Sequence, residues 1–337
     1  MNDKRPRICV LGAGAIGGYL GINLAKSGAH VSVLSRGSTL DVVRASGWTL
    51  KSGNESWTVP VDAVDAEDRE ALVGLGPQDV VIIAVKAQAL ADVAHLIPPL
   101  VGPDTIIVPA LNGIPWWFTH GLKDPVLAQP LNTLDPQGHL SATIPSGQVL
   151  GAVIYPACST PAPGVVRHAS GTRLVFGEVS GAPSTSRLTG WVDLLRQSGL
   201  DAVASSDIRA EVWTKLLGNA CFNPVSVLAG CSTDQLIDNP AIFELFCSLM
   251  EETLAIGRAL GISLDVTPSA RIAITRKLGH VKTSMLQDME AGKSLEVEAL
   301  IGAVVEIAKR LQVSAPRSES LYALTKMRAN VLAQQGH

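Results

Sequence analysis

A short apolar strand that runs into a glycine-spaced turn and then a helix constrains this chain more than any other feature. Ile8-Cys9-Val10-Leu11 leads into Gly12-Ala13-Gly14-Ala15-Ile16-Gly17, the pattern G-x-G-x-x-G, and a helix is predicted over Tyr19 to Lys26. The glycines permit a tight turn, a close backbone approach to a pyrophosphate, and close packing of helix on strand. The helix start then offers free N–H groups and a positive dipole end to phosphates. Such spacing alone is weak evidence, because glycines also collect in ordinary turns. Placed after a strand and opening a helix, it reads as a dinucleotide site contacted by Gly12, Gly14, Ala15, Ile16 and Gly17.

The second strand, His30 to Leu34, bears on which dinucleotide. An NAD site would carry Asp or Glu at its end to hold the ribose 2′-OH. Here the strand ends in Ser35-Arg36-Gly37-Ser38, with no acid. Arg36 suits a bidentate grip on a 2′-phosphate, so the expected cofactor is NADP(H). The plainer alternative is a solvated loop arginine.

A chain of 337 residues is long enough for two domains, and 47% hydrophobic against 17% charged residues describes a core-rich folded protein. A net charge of -3 without a basic run argues against a nucleic-acid binder. Cys9, Cys158, Cys221, Cys231 and Cys247 are scattered without C-x-x-C or zinc-ligand spacing, so no metal is expected and a reduced cytoplasm fits. Lys4-Arg5-Pro6-Arg7 before Ile8–Ala25 imitates a signal peptide. The same residues build the nucleotide turn, so export is rejected, and no other segment is apolar enough to span a membrane.

Strands and helices alternate at first. Helices are predicted over Thr39–Ser46 and Ala89–Ile97, strands over Val80–Val85 and Thr105–Pro109, and a hairpin of Trp48–Leu50 with Ser56–Val59. This is the pattern of a doubly wound parallel sheet. Short β-runs at Val149–Tyr155, Val165–His168 and Arg173–Phe176 suggest an antiparallel extension, followed by a helix over Ser184–Ser198 and a strand over Asp201–Ala204. After Asp207 the periodicity is helical: Arg209–Leu228, Ala241–Leu260, Pro268–Leu278, Leu295–Leu311 and Ser318–Ala333. The expected division is a nucleotide-binding domain over 1–206 and an all-α domain over 207–337.

Lys215, Asn219 and Asn223 are spaced by four among apolar neighbours, which puts them on one helical stripe. That stripe could line a polar cavity. Equally, Lys215 could pair with Glu211 on a solvated face, and Asn223 could end a helix before Pro224. Glu296 follows Ser294, a plausible N-cap, and its stripe continues through the apolar Leu300, Ala303, Val304, Ile307 and Leu311. A carboxylate on a core-facing stripe needs a partner or a shifted pKa, unless it is simply a first-turn acid favoured by the helix dipole. Lys86 and Asn112 lie just past the ends of two predicted parallel strands, where ligands bind in such sheets. They also suit ordinary loop and turn roles.

Taken together, these pieces resemble the ketopantoate reductase (2-dehydropantoate 2-reductase) family over nearly the whole chain. The resemblance is carried by Gly12–Gly17, Arg36, Ala84-Val85-Lys86-Ala87 and Asn112-Gly113. Most specific are Ile208-Arg209-Ala210-Glu211-Val212-Trp213-x-Lys215-Leu216 with Asn219 and Asn223-Pro224, and Ser284-Met285-Leu286-Gln287-Asp288 followed by Glu296. It implies a Rossmann-type N-terminal domain, a helical C-terminal domain and an active site in the cleft between them. It further implies Lys215 as catalytic lysine, with Glu296 at the substrate hydroxyl and Asn112, Asn219, Asn223 and Ser284 at the substrate. Lys86 and Asn112 would lie near the cofactor.

The implied reaction is reduction of a 2-oxo acid by NADPH, ketopantoate to pantoate, in pantothenate biosynthesis. A lysine ammonium would polarise the carbonyl and give the proton. The chain departs from the family pattern at Thr233 and Val281, where asparagines are expected, and in the bulky Ile114-Pro115-Trp116-Trp117. Trp116 and Trp117 suit a lid, a pocket wall, core or a subunit contact. A branched or bulkier 2-oxo acid, a histidine-dependent hydroxyacid or opine dehydrogenase, and a non-catalytic NADPH-binding regulator are the competing readings. The expected partner is a small molecule rather than nucleic acid or membrane, with a homodimer compatible with the helical domain but marked by no single stripe.

Overall fold

The computed structural model describes residues 5–335. They form two compact units, one holding the chain through Leu111 with His139–Ile208, the other Asn112–Gly138 and the chain from Arg209. The first unit begins β1 (Arg7–Leu11), α1 (Ala15–Lys26), β2 (His30–Ser35), α2 (Gly37–Ser46), β3 (Trp48–Ser52), β4 (Glu55–Val59), β5 (Asp62–Asp65) and α3 (Arg69–Leu75). Next come β6 (Val80–Ile83), the single-turn α4 (Leu90–Val93) and β7 (Ile106–Pro109). Its second part contributes α5 (His139–Thr143), β8 (Leu150–Ile154), β9 (Ala157–Ala162), β10 (Val165–Ser170), β11 (Arg173–Glu178), α6 (Ser186–Gln197) and β12 (Asp201–Ala204).

Five strands pair in parallel in the order β5-β2-β1-β6-β7. The order reverses beside β1, and that reversal opens a crevice at the carboxyl ends of β1 and β6. Ile8, Val10, Val81 and Ile82 are fully buried, as continuous apolar strands covered on both faces should be.

The antiparallel extension expected from the sequence is instead two further mixed sheets. β11 pairs antiparallel with β8 and parallel with β12, and Ile107 bridges to Val149. β9 and β10 leave that group. β10 runs parallel to β3, making a four-stranded sheet β4-β3-β10-β9. Burial explains the choice, because this sheet covers the outer side of α1 with Trp48 and Val166. A Cβ on Gly18 would lie 2.3 Å from Val166 Cγ2, and one on Gly21 2.7 Å from the Trp48 ring. On the opposite side a Cβ on Gly17 would meet the Gly12 carbonyl oxygen at 2.1 Å. The helix is thus a thin middle layer, and its glycines set the spacing on both faces. The signal-like apolar run is β1 and α1, and no described helix is long and apolar enough to cross a membrane.

The helix predicted over Ala89–Ile97 is broken into α4 and flanking 3-10 turns at Ala87–Ala89 and Ala94–Leu96. Pro98 and Pro99, next in the chain, lack the N–H groups a continuing helix would use.

The second unit is helical: α7 (Ile208–Ala229), α8 (Thr233–Asp238), α9 (Pro240–Ala259), α10 (Pro268–Arg276), α11 (Ser284–Glu290), a π-turn at Glu298–Gly302, α12 (Ala303–Arg310) and α13 (Pro316–Gln335). α7 continues through Pro224 rather than stopping at Asn223. Residues 112–138, placed by sequence in the first domain, cluster with these helices. Their carbonyls and amides explain it. Arg209 Nε donates to Phe118 O at 2.8 Å, and Arg310 donates to Gln129 O at 2.8 Å and Pro130 O at 2.6 Å. The Glu306 carboxylate accepts from Asn132 N, Thr133 N and Thr133 Oγ1. Those bonds hold the Glu306 carboxyl below its usual pKa despite the opposing effect of burial. Trp116 and Trp117 are buried and Phe118 stacks on Trp213, so both tryptophans are core of the helical unit.

Two glycine substitutions should move stability in opposite directions. Gly18→Ala overpacks the middle layer and should cost about 1–3 kcal/mol. Gly190→Ala, on an open face of α6 with no atom within 4 Å of the new Cβ, should stabilise by up to roughly 1 kcal/mol. Thermal unfolding of each variant checks this, and a Gly18→Ala protein as stable as the parent would contradict the layered packing.

Candidate active site

In the first unit, a cavity of about 590 Å³ opens at the carboxyl ends of β1, β2 and β6. Gly12, Ala13, Gly14, Ser35, Arg36 and Thr39 line it, with Thr160–Gly164 from the end of β9 and the turn into β10. Gly12 has φ +108°, and a Cβ there would sit 2.9 Å from Ala84 O, so the backbone runs where no side chain fits. Gly14 caps α1 without a side-chain hydrogen bond, which leaves the first amides of α1, including those of Ala15 and Ile16, facing forward. A cradle of amides with no side chain in the way suits a pyrophosphate. Gly17, by contrast, faces the strand and acts through packing.

Arg36 holds the N-cap position of α2 in extended backbone, and its guanidinium is exposed, 3.9 Å from the Glu67 carboxylate. An exposed pair at that distance contributes little, so the guanidinium can turn to an anion. Lys86, half-buried, follows directly on Val85, a lining residue. The segment Thr160–Gly164 escaped sequence reasoning. Its Pro-Ala-Pro-Gly composition reads as a loop, although β9 extends through Ala162, and only the long-range β10–β3 pairing brings it here.

In the second unit, the Lys215 ammonium donates to Asn112 Oδ1 at 2.8 Å, across 103 residues of sequence. Lys215 sits one turn before Asn219, which is half-buried, and two before Asn223, which is 5% exposed. Burial pushes the Lys215 pKa down to about 8, while the charge of Glu296 works to raise it. Lys215 is half-buried, and its ammonium is engaged by Asn112 rather than standing on an open face. Glu296 is 5% exposed. Its carbonyl accepts Leu300 N at 3.2 Å, so Glu296 itself stands at the helix start, two residues later than the Ser294 cap expected from the sequence.

Ser284 is the first residue of α11, exposed, behind the N-cap Thr283. Thr283 Oγ1 bonds Ser226 Oγ at 2.6 Å, and Ser226 Oγ donates to Asn223 O. Ser284 thus stands near the far end of the Lys215 stripe, beyond Asn223. Lys215, Asn112 and Glu296 are brought together. The cavity residues and Arg36 belong to the other unit.

The chain matches family models described as "Ketopantoate reductase PanE/ApbA" over residues 8–116 and "Ketopantoate reductase PanE/ApbA C terminal" over residues 207–329. It is 37% identical over 321 residues to a 2-dehydropantoate 2-reductase of Mesorhizobium japonicum, covering 95% of this chain and 97% of that one. This chain belongs to the ketopantoate reductase PanE/ApbA family.

Among solved structures, a candidate ketopantoate reductase from Ralstonia solanacearum MolK2 superposes with a TM-score of 0.91 at 41% identity, covering 98% of this chain and 99% of that one. The same fold occurs in a D-mandelate dehydrogenase solved with NADH and anilino(oxo)acetate, at a TM-score of 0.81 and 18% identity, covering 97% of this chain and 99% of that one. Thr233 is buried, and both its amide and its hydroxyl donate to Val281 O, at 2.9 and 3.1 Å. Val281 exposes its side chain.

Because burial holds Lys215 near pH 8, its amine should react with an amine-acylating reagent at lower pH than the exposed lysines do. With limiting reagent, peptide mapping should find its labelling rate at half-maximum near pH 8. Glu296→Gln removes the charge that raises its pKa, so that half-maximal rate should move lower still. Labelling of Lys215 only above about pH 10, the ordinary lysine range, would contradict the geometry.

Proposed function

We propose that this chain is an NADPH-dependent reductase of a 2-oxo acid, with 2-dehydropantoate (ketopantoate) as substrate and pantoate as product. The observation that carries the reading is the Lys215–Asn112 contact beside the buried Glu296. NADPH, when bound, would supply the hydride that the carbonyl carbon takes up. As electron density moves to the carbonyl oxygen, the Lys215 ammonium stabilises it and gives up a proton, leaving the alcohol and a neutral amine that solvent reprotonates. A lysine with a pKa of about 8 suits this role, since it is charged at neutral pH yet surrenders its proton readily.

Asn112 fixes the ammonium, and Glu296 holds it charged or meets a substrate hydroxyl. Asn219 and Asn223, on the Lys215 stripe of α7, and Ser284, at the start of α11, offer polar groups for the acid's carboxylate and side chain. On the cofactor side, Gly12 and Gly14 give the close backbone approach and Gly17 the close packing. The amides of Ala15 and Ile16 would hold the pyrophosphate, Arg36 would grip the 2′-phosphate, and Lys86 would lie near the cofactor.

Pantoate made this way would feed pantothenate biosynthesis. The unpaired thiols fit a cytoplasmic setting. A ketopantoate reductase of this fold from Staphylococcus aureus is described as dimeric, and Leu324 and Met327, exposed on α13, give this chain an apolar surface for a homodimer. A second reading, a branched or bulkier 2-oxo acid, is favoured by Thr233 and Val281, which offer a satisfied hydroxyl and an apolar side chain.

NADPH oxidation followed across a panel of 2-oxo acids tests both readings. Ketopantoate should be reduced fastest; a faster branched or aromatic acid selects the second reading, and tight NADPH binding with no turnover on any acid selects a regulator. Lys215→Ala should lower kcat by roughly 100- to 10,000-fold with NADPH affinity kept. Arg36→Ala should weaken NADPH by roughly 10- to 100-fold and leave NADH unchanged, as expected for lost charge-assisted bonds. Lys215 must be protonated to act, so kcat/KM for reduction should fall as pH rises through about 8.

A further inference from the structure

The helix that follows Glu296 contains a feature that catalysis alone does not explain. At Glu298–Gly302 it is a π-turn. Ala303 N donates to Glu298 O, five residues back, rather than to Ala299 O four residues back. The displaced carbonyl is buried, since Ala299 is 2% exposed, and a buried carbonyl needs a donor. It has one from a distant part of the chain: Ile114 N donates to Ala299 O at 2.8 Å. The approach is close enough to require glycine next door. Gly113 has φ +78°, and a Cβ on it would lie 2.3 Å from Ala299 O. The residue before Gly113 is Asn112, the acceptor for Lys215.

The π-turn is itself held from behind. A Cβ on Gly302 would lie 2.4 Å from Glu298 Oε2 and 3.0 Å from the Tyr322 ring. In that gap the Glu298 carboxylate folds back over Gly302, accepts from Tyr322 Oη at 2.8 Å and meets Lys326 Nζ at 3.0 Å. The Lys326 ammonium also donates to Tyr322 Oη at 2.9 Å. An interrupted helix is less stable than a regular one, and such interruptions concentrate at functional sites.

We propose that the π-turn Glu298–Gly302 is a positioning device whose freed Ala299 carbonyl pins the Ile114 amide and thereby sets Asn112 against the Lys215 ammonium. Gly113, Gly302, Glu298 and Tyr322 are its positioning residues; none is placed in contact with substrate. The proposal rests on the assignment of Lys215 and Asn112 to the reduction. It goes further by explaining why the helix carrying Glu296 departs from α geometry, and it ties Glu296 and Asn112 to one backbone bond.

Tyr322→Phe removes one hydroxyl with the ring retained, and Gly302→Ala displaces the Glu298 carboxylate. In each, amide exchange at Ile114 should quicken by at least about tenfold, with global unfolding little changed for Tyr322→Phe. The kcat should drop by roughly 10- to 100-fold, NADPH affinity staying as it was. The decisive readout is a double-mutant cycle. In an Asn112→Ala background the same two substitutions should have no further effect on kcat, because they act through Asn112. Unchanged exchange at Ile114, or kcat losses that simply multiply with Asn112→Ala, would overturn the proposal. Faster exchange at Ile114 while Asn112→Ala alone leaves kcat intact would instead sink the catalytic assignment and leave the pinning geometry in place.

Discussion

A single hydrogen bond organises the helical unit: the Lys215 ammonium donating to Asn112 Oδ1. An ammonium withdrawn from water is costly unless hydrogen-bond and charge partners replace the lost hydration. Asn112 supplies the acceptor and Glu296 the opposing charge. The partners nonetheless fall short of full compensation, and burial still draws the pKa down to about 8. That shortfall makes the lysine useful as an acid, because a fully compensated ammonium would hold its proton too tightly.

Keeping this contact constrains a long stretch of chain. Asn112 opens a segment that stays with the helical unit until Gly138. Arg209, Glu306 and Arg310 tie that segment down through backbone groups, and Trp116, Trp117 and Phe118 anchor it in the core. The nucleotide-binding unit is organised by a different constraint, the thinness of α1. Gly17 fits the helix to the β1 turn, while Gly18 and Gly21 fit it to Trp48 and Val166. The nucleotide motif accounts for Gly17; the other two serve the four-stranded sheet.

Much of this was legible in the sequence wherever the signal is local. The G-x-G-x-x-G turn, the β3–β4 hairpin across Gly53-Asn54 and the Lys215 stripe follow from spacing within a few residues. What escaped is non-local. The partition of β9 and β10 into a sheet with β3 depends on what must cover α1, and the membership of residues 112–138 depends on side chains near Arg209 and Glu306. The π-turn was hidden for a similar reason. The apolar stripe through Leu300, Ala303, Val304 and Ile307 fits a regular helix, and only the distant Ile114 amide reveals the displaced carbonyl. The helix predicted over Arg209–Leu228 does pass through Pro224, so the periodicity outweighed the proline as a stop signal.

The most direct measurement of the central claim is a nuclear magnetic resonance titration of Lys215 in protein carrying isotopically labelled lysine, assigned with Lys215→Arg. The ε-methylene signal should titrate with a midpoint at about 8, apart from the exposed lysines, and the midpoint should move when Asn112 is replaced by alanine. A Lys215 that titrates with the bulk of the lysines, indifferent to Asn112, would contradict the account.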